Sequence, residues 1–230
     1  MNKEDSTEVE YKTKIRNINI LNYYIPLCND IFKNDGIDYL TQKEFNIGYD
    51  DFSNRITIPI FNELGNLIGV KGRRFDFSEC CNSELDQCSE KYIYLERCNK
   101  SHILYGLNMT YNDIIRCGRV YVGESEKFVM QLWSHGIYNT VAIGSHKISK
   151  YQLVLLQRLG VEICICFDKD IPYKSPNNDG DDIYTECSKF ESWADIYYMI
   201  DKLNILEEKE SPSDNIKNFK KLEKECIYSF

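Results

Sequence analysis

The chain has 230 residues, of which 43% are hydrophobic and 13% aromatic, and carries a net charge of −8. That is ample apolar material for one large folded unit or two small ones, which excludes a disordered tail. The acidic balance excludes indiscriminate nucleic-acid binding by the whole surface, leaving a local basic groove or bridging cations as the routes to phosphate. Every apolar run falls short of the ~20 residues that span a bilayer. The opening Met1-Asn2-Lys3-Glu4-Asp5 is too polar for a signal peptide. The expectation is a cytoplasmic protein with no membrane partner.

In chain order, residues 1–45 are charged and weakly periodic, and predict one or two short helices ending near Asp35-Gly36. The chain then returns through Phe45-Asn46-Ile47-Gly48-Tyr49. A hairpin follows: Arg55 to Phe61, a turn over Asn62 to Asn66, and Leu67 to Arg74. Pro59 donates nothing to a ladder, so it marks an edge or an irregular spot in the first strand. Residues 76–90 are polar and read as a loop.

From 118 the pattern alternates strand and helix. Strands over 119–123, 138–143 and 161–167 are separated by helices over 126–135, ended by Gly136, and 150–159, capped by Ser149 and ended by Gly160. This βαβαβ order predicts a parallel sheet with right-handed crossovers. A strand over 195–200 joins it, and Ser211-Pro212-Ser213-Asp214 leads into a capped helix over 215–226. The fold class is therefore α/β: a mixed α+β basic part over 1–115 followed by a parallel-sheet part over 116–230, the boundary falling near 110–118.

Ten cysteines in a chain with no sign of secretion point to reduced thiols. Cys164 and Cys166 alternate on a strand and predict two buried apolar side chains on one face. Cys80, Cys81, Cys88, Cys98 and His102 are the only grouping that invites zinc. They lack the Cys-x-x-Cys pairs of structural sites, so no structural zinc is expected.

The chemistry gathers at strand ends. Val120-Tyr121-Val122-Gly123 delivers Glu124, and Cys164-Ile165-Cys166-Phe167 delivers Asp168-Lys169-Asp170. The carboxyl ends of strands in an open α/β sheet are where ligands bind. Glu124 alone reads as an acid near a helix N-terminus, and each aspartate alone as a loop acid. Together, carboxylates this close repel unless a cation neutralises them, and hard oxygen donors suit Mg²⁺ or Mn²⁺. Asp214 has two readings: a fourth metal ligand, or a capping-box residue opposite Ser211. Asp201 is a weaker candidate of the same kind, while Asp179, Asp181 and Asp182 read as solvated acids. Arg55, Lys71, Arg73, Arg74, Lys91 and Lys100 lie in or beside the hairpin and predict phosphate contacts, or else a charged strand edge. Gly69 and Gly72 would let a backbone come close to a ligand.

Phe45-Asn46-Ile47-Gly48-Tyr49, the strand from Arg55, Gly69-Val-Lys-Gly-Arg73, Lys91-Tyr92 and Lys100 through Tyr105-Gly106-Leu107 together resemble the basic subdomain of bacterial-type (DnaG-like) DNA primases. The stretch after them resembles the topoisomerase–primase (Toprim) fold, with Glu124 as its glutamate and Asp168-Lys169-Asp170 as its Asp-x-Asp. Gly-Glu-Ser-Glu-Lys, Ala142-Ile-Gly-Ser145 and Phe167-Asp-Lys-Asp170 are closest in wording to small primases of phages and mobile elements. The resemblance runs over residues 39 to 226 in the family's order. It implies a divalent-metal-dependent nucleotidyltransferase that joins ribonucleoside triphosphates into short RNA primers on a single-stranded DNA template. Glu124, Asp168 and Asp170 would be catalytic and hold the metal, with Asp214 in reserve. Arg55, Lys71, Arg73, Lys91, Tyr92 and Lys100 would hold nucleic acid or nucleotide, while Tyr92 and Tyr105 would pack or stack on bases.

Ser125 stands where that family often has glycine, and the family's later acidic pair is reduced to Asp214. The resemblance leads one to expect neither the family's zinc module before the core nor its helicase-binding domain after it, which implies a replicative helicase or a separate zinc-binding protein as partners. The rival readings are a Toprim-type nuclease, a strand-passing fragment, and a non-catalytic nucleic-acid-binding module.

Overall fold

The computed structural model describes residues 14–75, 90–177, 180–190 and 193–230. The loop expected over 76–90 lies outside them except for Glu90, as do Cys80, Cys81, Cys88 and Asp179. Two short helices, α1 (Asp30–Asn34) and α2 (Tyr39–Glu44), are each capped by a side chain, Asn29 and Asp38. A four-stranded antiparallel sheet follows in simple order: β1 (Gly48–Asp50), β2 (Arg55–Phe61), β3 (Leu67–Arg74) and β4 (Tyr92–Glu96). The β2–β3 hairpin has the predicted ends. Asn62 closes its turn, accepting from the N–H of Asn66 at 2.9 Å. β1 pairs with β2 only as far as Thr57, so Pro59 stands where β2 has a free edge.

The second part runs α3 (Leu107–Cys117), β5 (Arg119–Gly123), α4 (Glu126–Trp133), β6 (Thr140–Ala142), α5 (Lys150–Arg158), β7 (Glu162–Ile165), α6 (Ile183–Ser188), β8 (Ile196–Met199), α7 (Ile216–Glu225) and β9 (Ile227–Ser229). The sheet order is β6-β5-β7-β8-β9, parallel except for β9. Ser149 and Gln152 form a reciprocal capping box at the start of α5. The Ser211 capping box is also present, but it closes a 3₁₀ turn over Pro212–Asp214, and α7 begins afresh from an Asn215 cap. The expected single helix over 215–226 is thus preceded by a separate turn. Residue 115 lies inside α3, which packs on β5 and β6.

Alternation along the parallel strands divides the core. Val120, Val122, Ile163 and Ile165 pack with α3, α5 and α6, while Tyr121, Cys164 and Cys166 face α4 and α7. Cys164 and Cys166 are fully buried, free, and 3.8 Å apart at sulfur. The α4/α7 side also contains Ile56, Ile58 and Phe32, so the antiparallel sheet and α1 share that core. Among the described residues no helix is long and apolar enough to cross a membrane.

Candidate functional site

The chain passes from β5 to β6 on one side and returns to β7 on the other, which puts a topological switch point between β5 and β7. Glu124 and Asp168 leave the carboxyl ends of those two strands. The main-chain N–H of Asp168 donates to Oε1 of Glu124 at 2.9 Å, so the two acids are brought together as expected. Burial raises the Asp168 carboxyl to about 7, helped by the Glu124 charge and then by Asp214 and Asp170, against a hydrogen bond from Ser211. Glu124 is raised chiefly by burial, partly offset by the Asp168 N–H and by His146. Asp170 is exposed at the same loop.

Asp214 takes the capping role of the two foreseen for it. Its Oδ2 accepts from the Ser211 N–H at 2.9 Å, and its charge reaches Asp168. Its Oδ1 accepts from buried Gln131 at 2.8 Å and lies 3.5 Å from Lys127. Lys169, between the two aspartates, turns away, donating to Asn204 at 2.7 Å and to the carbonyl of Leu206. Asp201 goes with it: its carboxylate accepts from the N–H groups of Ile205 and Leu206 and pairs with Lys169. Burial opposes that charge, but these partners outweigh it and hold Asp201 below the usual range. Asp201 therefore braces a loop.

The period of two along β3 sorts the basic residues. Lys71 and Arg73 pair across the sheet with Ile58 and Ile56, which face the shared core, so both cations point toward α4. Lys71 Nζ lies 2.7 Å from Glu126 Oε2 and 4.7 Å from the centre of the Tyr92 ring. Arg73 pairs with Asp35 at 3.0 Å and lies over the Phe32 ring. Tyr92 is pushed up to about 12, chiefly by burial, and its hydroxyl also feels Arg73, Glu126, Asp35 and Asp214. It thus stands among charges from β3, the end of α1, the first turn of α4 and the Pro212–Asp214 turn. Lys100 is exposed and donates to the carbonyl of Gly144 at 3.2 Å.

Arg55 corrects an expectation. It sits one residue out of phase with Ile56, on the opposite face, and is 3% exposed. Its guanidinium donates to the carbonyls of Gly72 and Lys91, each at 3.3 Å. Lys91, an exposed residue just before β4, enters this contact through its carbonyl. Gly69 and Gly72 likewise serve packing: a Cβ at Gly69 would lie 2.7 Å from Cys98 Sγ, and one at Gly72 3.0 Å from Arg55 Cδ. Tyr105 is buried and stacked on Phe45, with its hydroxyl unpartnered, so it packs and offers no face to a base. Asp182 is not a solvated acid but a buried cap that accepts from Thr185 N–H at 2.7 Å and Ser175 N–H at 2.8 Å. Asp181 pairs with His146 at 2.6 Å and with Lys147 at 3.1 Å.

Sequence reasoning passed over Glu126, Lys127 and Gln131, all on α4. In the sequence Glu126 is an ordinary first-turn acid, whereas in the fold it is 6% exposed and pairs with Lys71. Among the described residues no three His, Cys, Asp or Glu side chains form a ready cation cage. The donor chemistry nevertheless fits a hard cation. Glu124 and Asp168 are half-buried, their carboxyls are both raised, and Lys169 is directed elsewhere.

A mixed α/β chain with its acids at the switch point of a parallel sheet and an antiparallel basic sheet beside them has the fold of bacterial-type DNA primase catalytic cores. The Aquifex aeolicus primase (zinc-binding and RNA polymerase domains) superposes with a TM-score of 0.69 over 92% of this chain and 60% of that one, at 21% identity. A DnaG primase catalytic domain bound to single-stranded DNA gives 0.66 over 90% and 76%, at 17% identity. In sequence, the chain is 31% identical over 221 residues to the SPbeta prophage-derived uncharacterized protein YorJ of Bacillus subtilis, matching 86% of this chain and 56% of that protein. It is 30% identical over 122 residues to the DNA primase of Legionella pneumophila, matching 53% of this chain and 20% of the primase. No family model matches. The chain therefore spans about half of its prophage relative and about a fifth of that primase.

Proposed function

We propose that the chain is a primase-type nucleotidyltransferase core that makes short RNA primers on single-stranded DNA with Mg²⁺ or Mn²⁺. The observation that carries the reading is the meeting of Glu124 and Asp168 at the switch point, where the Asp168 N–H donates to Glu124 Oε1 at 2.9 Å. Glu124, Asp168 and Asp170 would hold the metal, and the Gln131-held carboxylate of Asp214 stands within electrostatic reach of Asp168. When bound, divalent metal would supply positive charge for an attacking 3′-hydroxyl and a departing pyrophosphate. The chain's own part is to gather carboxylates that burial leaves short of countercharge. It also presents Lys71, Arg73 and Lys100 to phosphate and keeps the Tyr92 ring beside Lys71.

The acidic half is Toprim-like in strand order and in its Glu and Asp-x-Asp positions. The DNA-bound catalytic domain of the same fold supports a single-stranded template as partner. Ribonucleoside triphosphates would be the substrates. A replicative helicase and a separate zinc-binding protein would supply coupling and template selection. The reading implies work on cytoplasmic DNA.

The test is incubation with single-stranded DNA, labelled ribonucleotides and Mg²⁺ or Mn²⁺, beside an Asp168→Ala control. Short RNA that disappears in the control is the expected result. Cleaved template without synthesis would replace the reading with a Toprim nuclease, and binding without either reaction would leave a nucleic-acid-binding module.

A further inference from the structure

We propose that Glu126 is a positioning residue that fixes the Lys71 ammonium against the Tyr92 ring, so that a phosphate group of nucleotide or template meets a cation already in place. The inference deepens the nucleotidyltransferase reading and rests on it only for the identity of the phosphate.

The geometry is built from three elements. Lys71 on β3 lies opposite Tyr94 of β4, just beyond a register shift at Val70. A bulge of this kind re-aims side chains and is common beside functional sites. Glu126 comes from the first turn of α4, two residues after Glu124, and its Oε2 takes one ammonium proton of Lys71 at 2.7 Å. Tyr92 of β4 supplies a ring face 4.7 Å from the same nitrogen. The side chains of Lys71 and Glu126 are 18% and 8% exposed, so the pair is largely shielded from solvent screening.

An unrestrained lysine has several soft torsions, and ordering them on binding costs free energy. Here that order exists before any ligand arrives. An ammonium has three donors. One is committed to Glu126, leaving two donors for an oxyanion that reaches the exposed 18% of the side chain. Glu126 lines a small pocket with Tyr94, Ile103, Tyr105 and Ala142, and Lys100 lines the same pocket. The pair also explains why an acid lies buried among aromatic side chains at this point of α4: without Lys71 its charge would have no compensation from this neighbour.

The experiment measures binding of single-stranded DNA and, separately, of a ribonucleoside triphosphate, across a salt series. It compares the wild type, Glu126→Gln, Lys71→Met and the double variant, well below each one's melting temperature. For the ligand whose phosphate Lys71 meets, both single variants should weaken binding about tenfold, and the double variant should be no worse than Lys71→Met. If that ligand is the DNA, its salt slope should fall by ~0.7 in each variant. Glu126→Asp, which keeps the charge, should recover part of the loss. Unchanged affinity in Glu126→Gln, with a loss in Lys71→Met, would overturn the positioning role. Tighter binding in Glu126→Gln would overturn it too, since Glu126 would then be a competitor for the lysine. Failure of both ligands to bind the wild type would also sink it. If binding behaves as expected but the wild type makes no RNA, the polymerase reading fails and the role of Glu126 stands.

Discussion

The N–H of Asp168 and the Oε1 of Glu124 are joined at 2.9 Å across the ends of two neighbouring parallel strands. This bond aligns the two acids and does little to relieve their crowding. The unfolded aspartate titrates near 3.8, whereas burial, with Glu124 next, raises Asp168 to about 7 in the fold. A raised carboxyl favours the protonated folded state. Its stabilising contribution is therefore full below 3.8 and is lost as pH rises through about 7. Asp168→Asn removes the ionisation, so in metal-free buffer it should raise the melting temperature by a few degrees at about pH 8 and by less than half as much at about pH 5. Thermal melts in EDTA at both pH values check this. A drop at the higher pH would show that the carboxylate is stabilised by contacts other than a cation.

Gly123 ends β5 one residue before Glu124, and a Cβ there would fall 2.2 Å from Cγ of the fully buried Phe128. The ring has no free space, so α4 would have to move. Gly123→Ala should cost about 1–3 kcal/mol through overpacking. It should also lower RNA synthesis beyond what the lost stability explains, because Glu124 would move with the strand end. Denaturant titration and a metal-dependence curve on the same variant separate the two effects.

The crossovers and the hairpin were legible in the sequence because their signals are local. Ser149 with Gln152, and Asn62 closing its turn, act within five residues. Helix α3 carries no side-chain cap at its start, and three-residue β9 is defined only by pairing with β8. The acids were legible because strand-end carboxylates are a one-dimensional pattern. The roles of Arg55 and Glu126 were not. Arg55 differs from Lys71 by which face of the sheet it occupies, and Glu126 is set apart by the β3 lysine that meets it. Tertiary packing decides both, and neither leaves a mark in spacing.

Gln131 is the joint between the N-terminal helices and the acidic half. Its amide nitrogen donates to the Asp35 carbonyl at 2.6 Å and to Asp214 at 2.8 Å, while its oxygen accepts from Ser213 at 2.7 Å. Gln131→Leu keeps the volume and takes one hydrogen bond from each of three partners, one of them a charge. The expected cost is about 2–4 kcal/mol in denaturant unfolding. A loss well below that range would mean that water replaces the amide and the joint is wet.

Arg55 and Lys71 were expected to act alike and are predicted to differ. The Arg55 guanidinium donates to the carbonyls of Gly72 and Lys91, and the residue is 3% exposed, so a phosphate reaches it only if this face of the sheet unpacks. Arg55→Met retains most of the aliphatic stem and removes one donor from each carbonyl, that of Lys91 keeping the Arg74 N–H. It should cost about 2 kcal/mol of stability. The salt slope of single-stranded DNA binding should stay at the wild-type value, because no phosphate contact is removed. Unfolding curves and a salt series on the same preparation decide the matter. A reduced slope at unchanged stability would return Arg55 to the nucleic-acid surface.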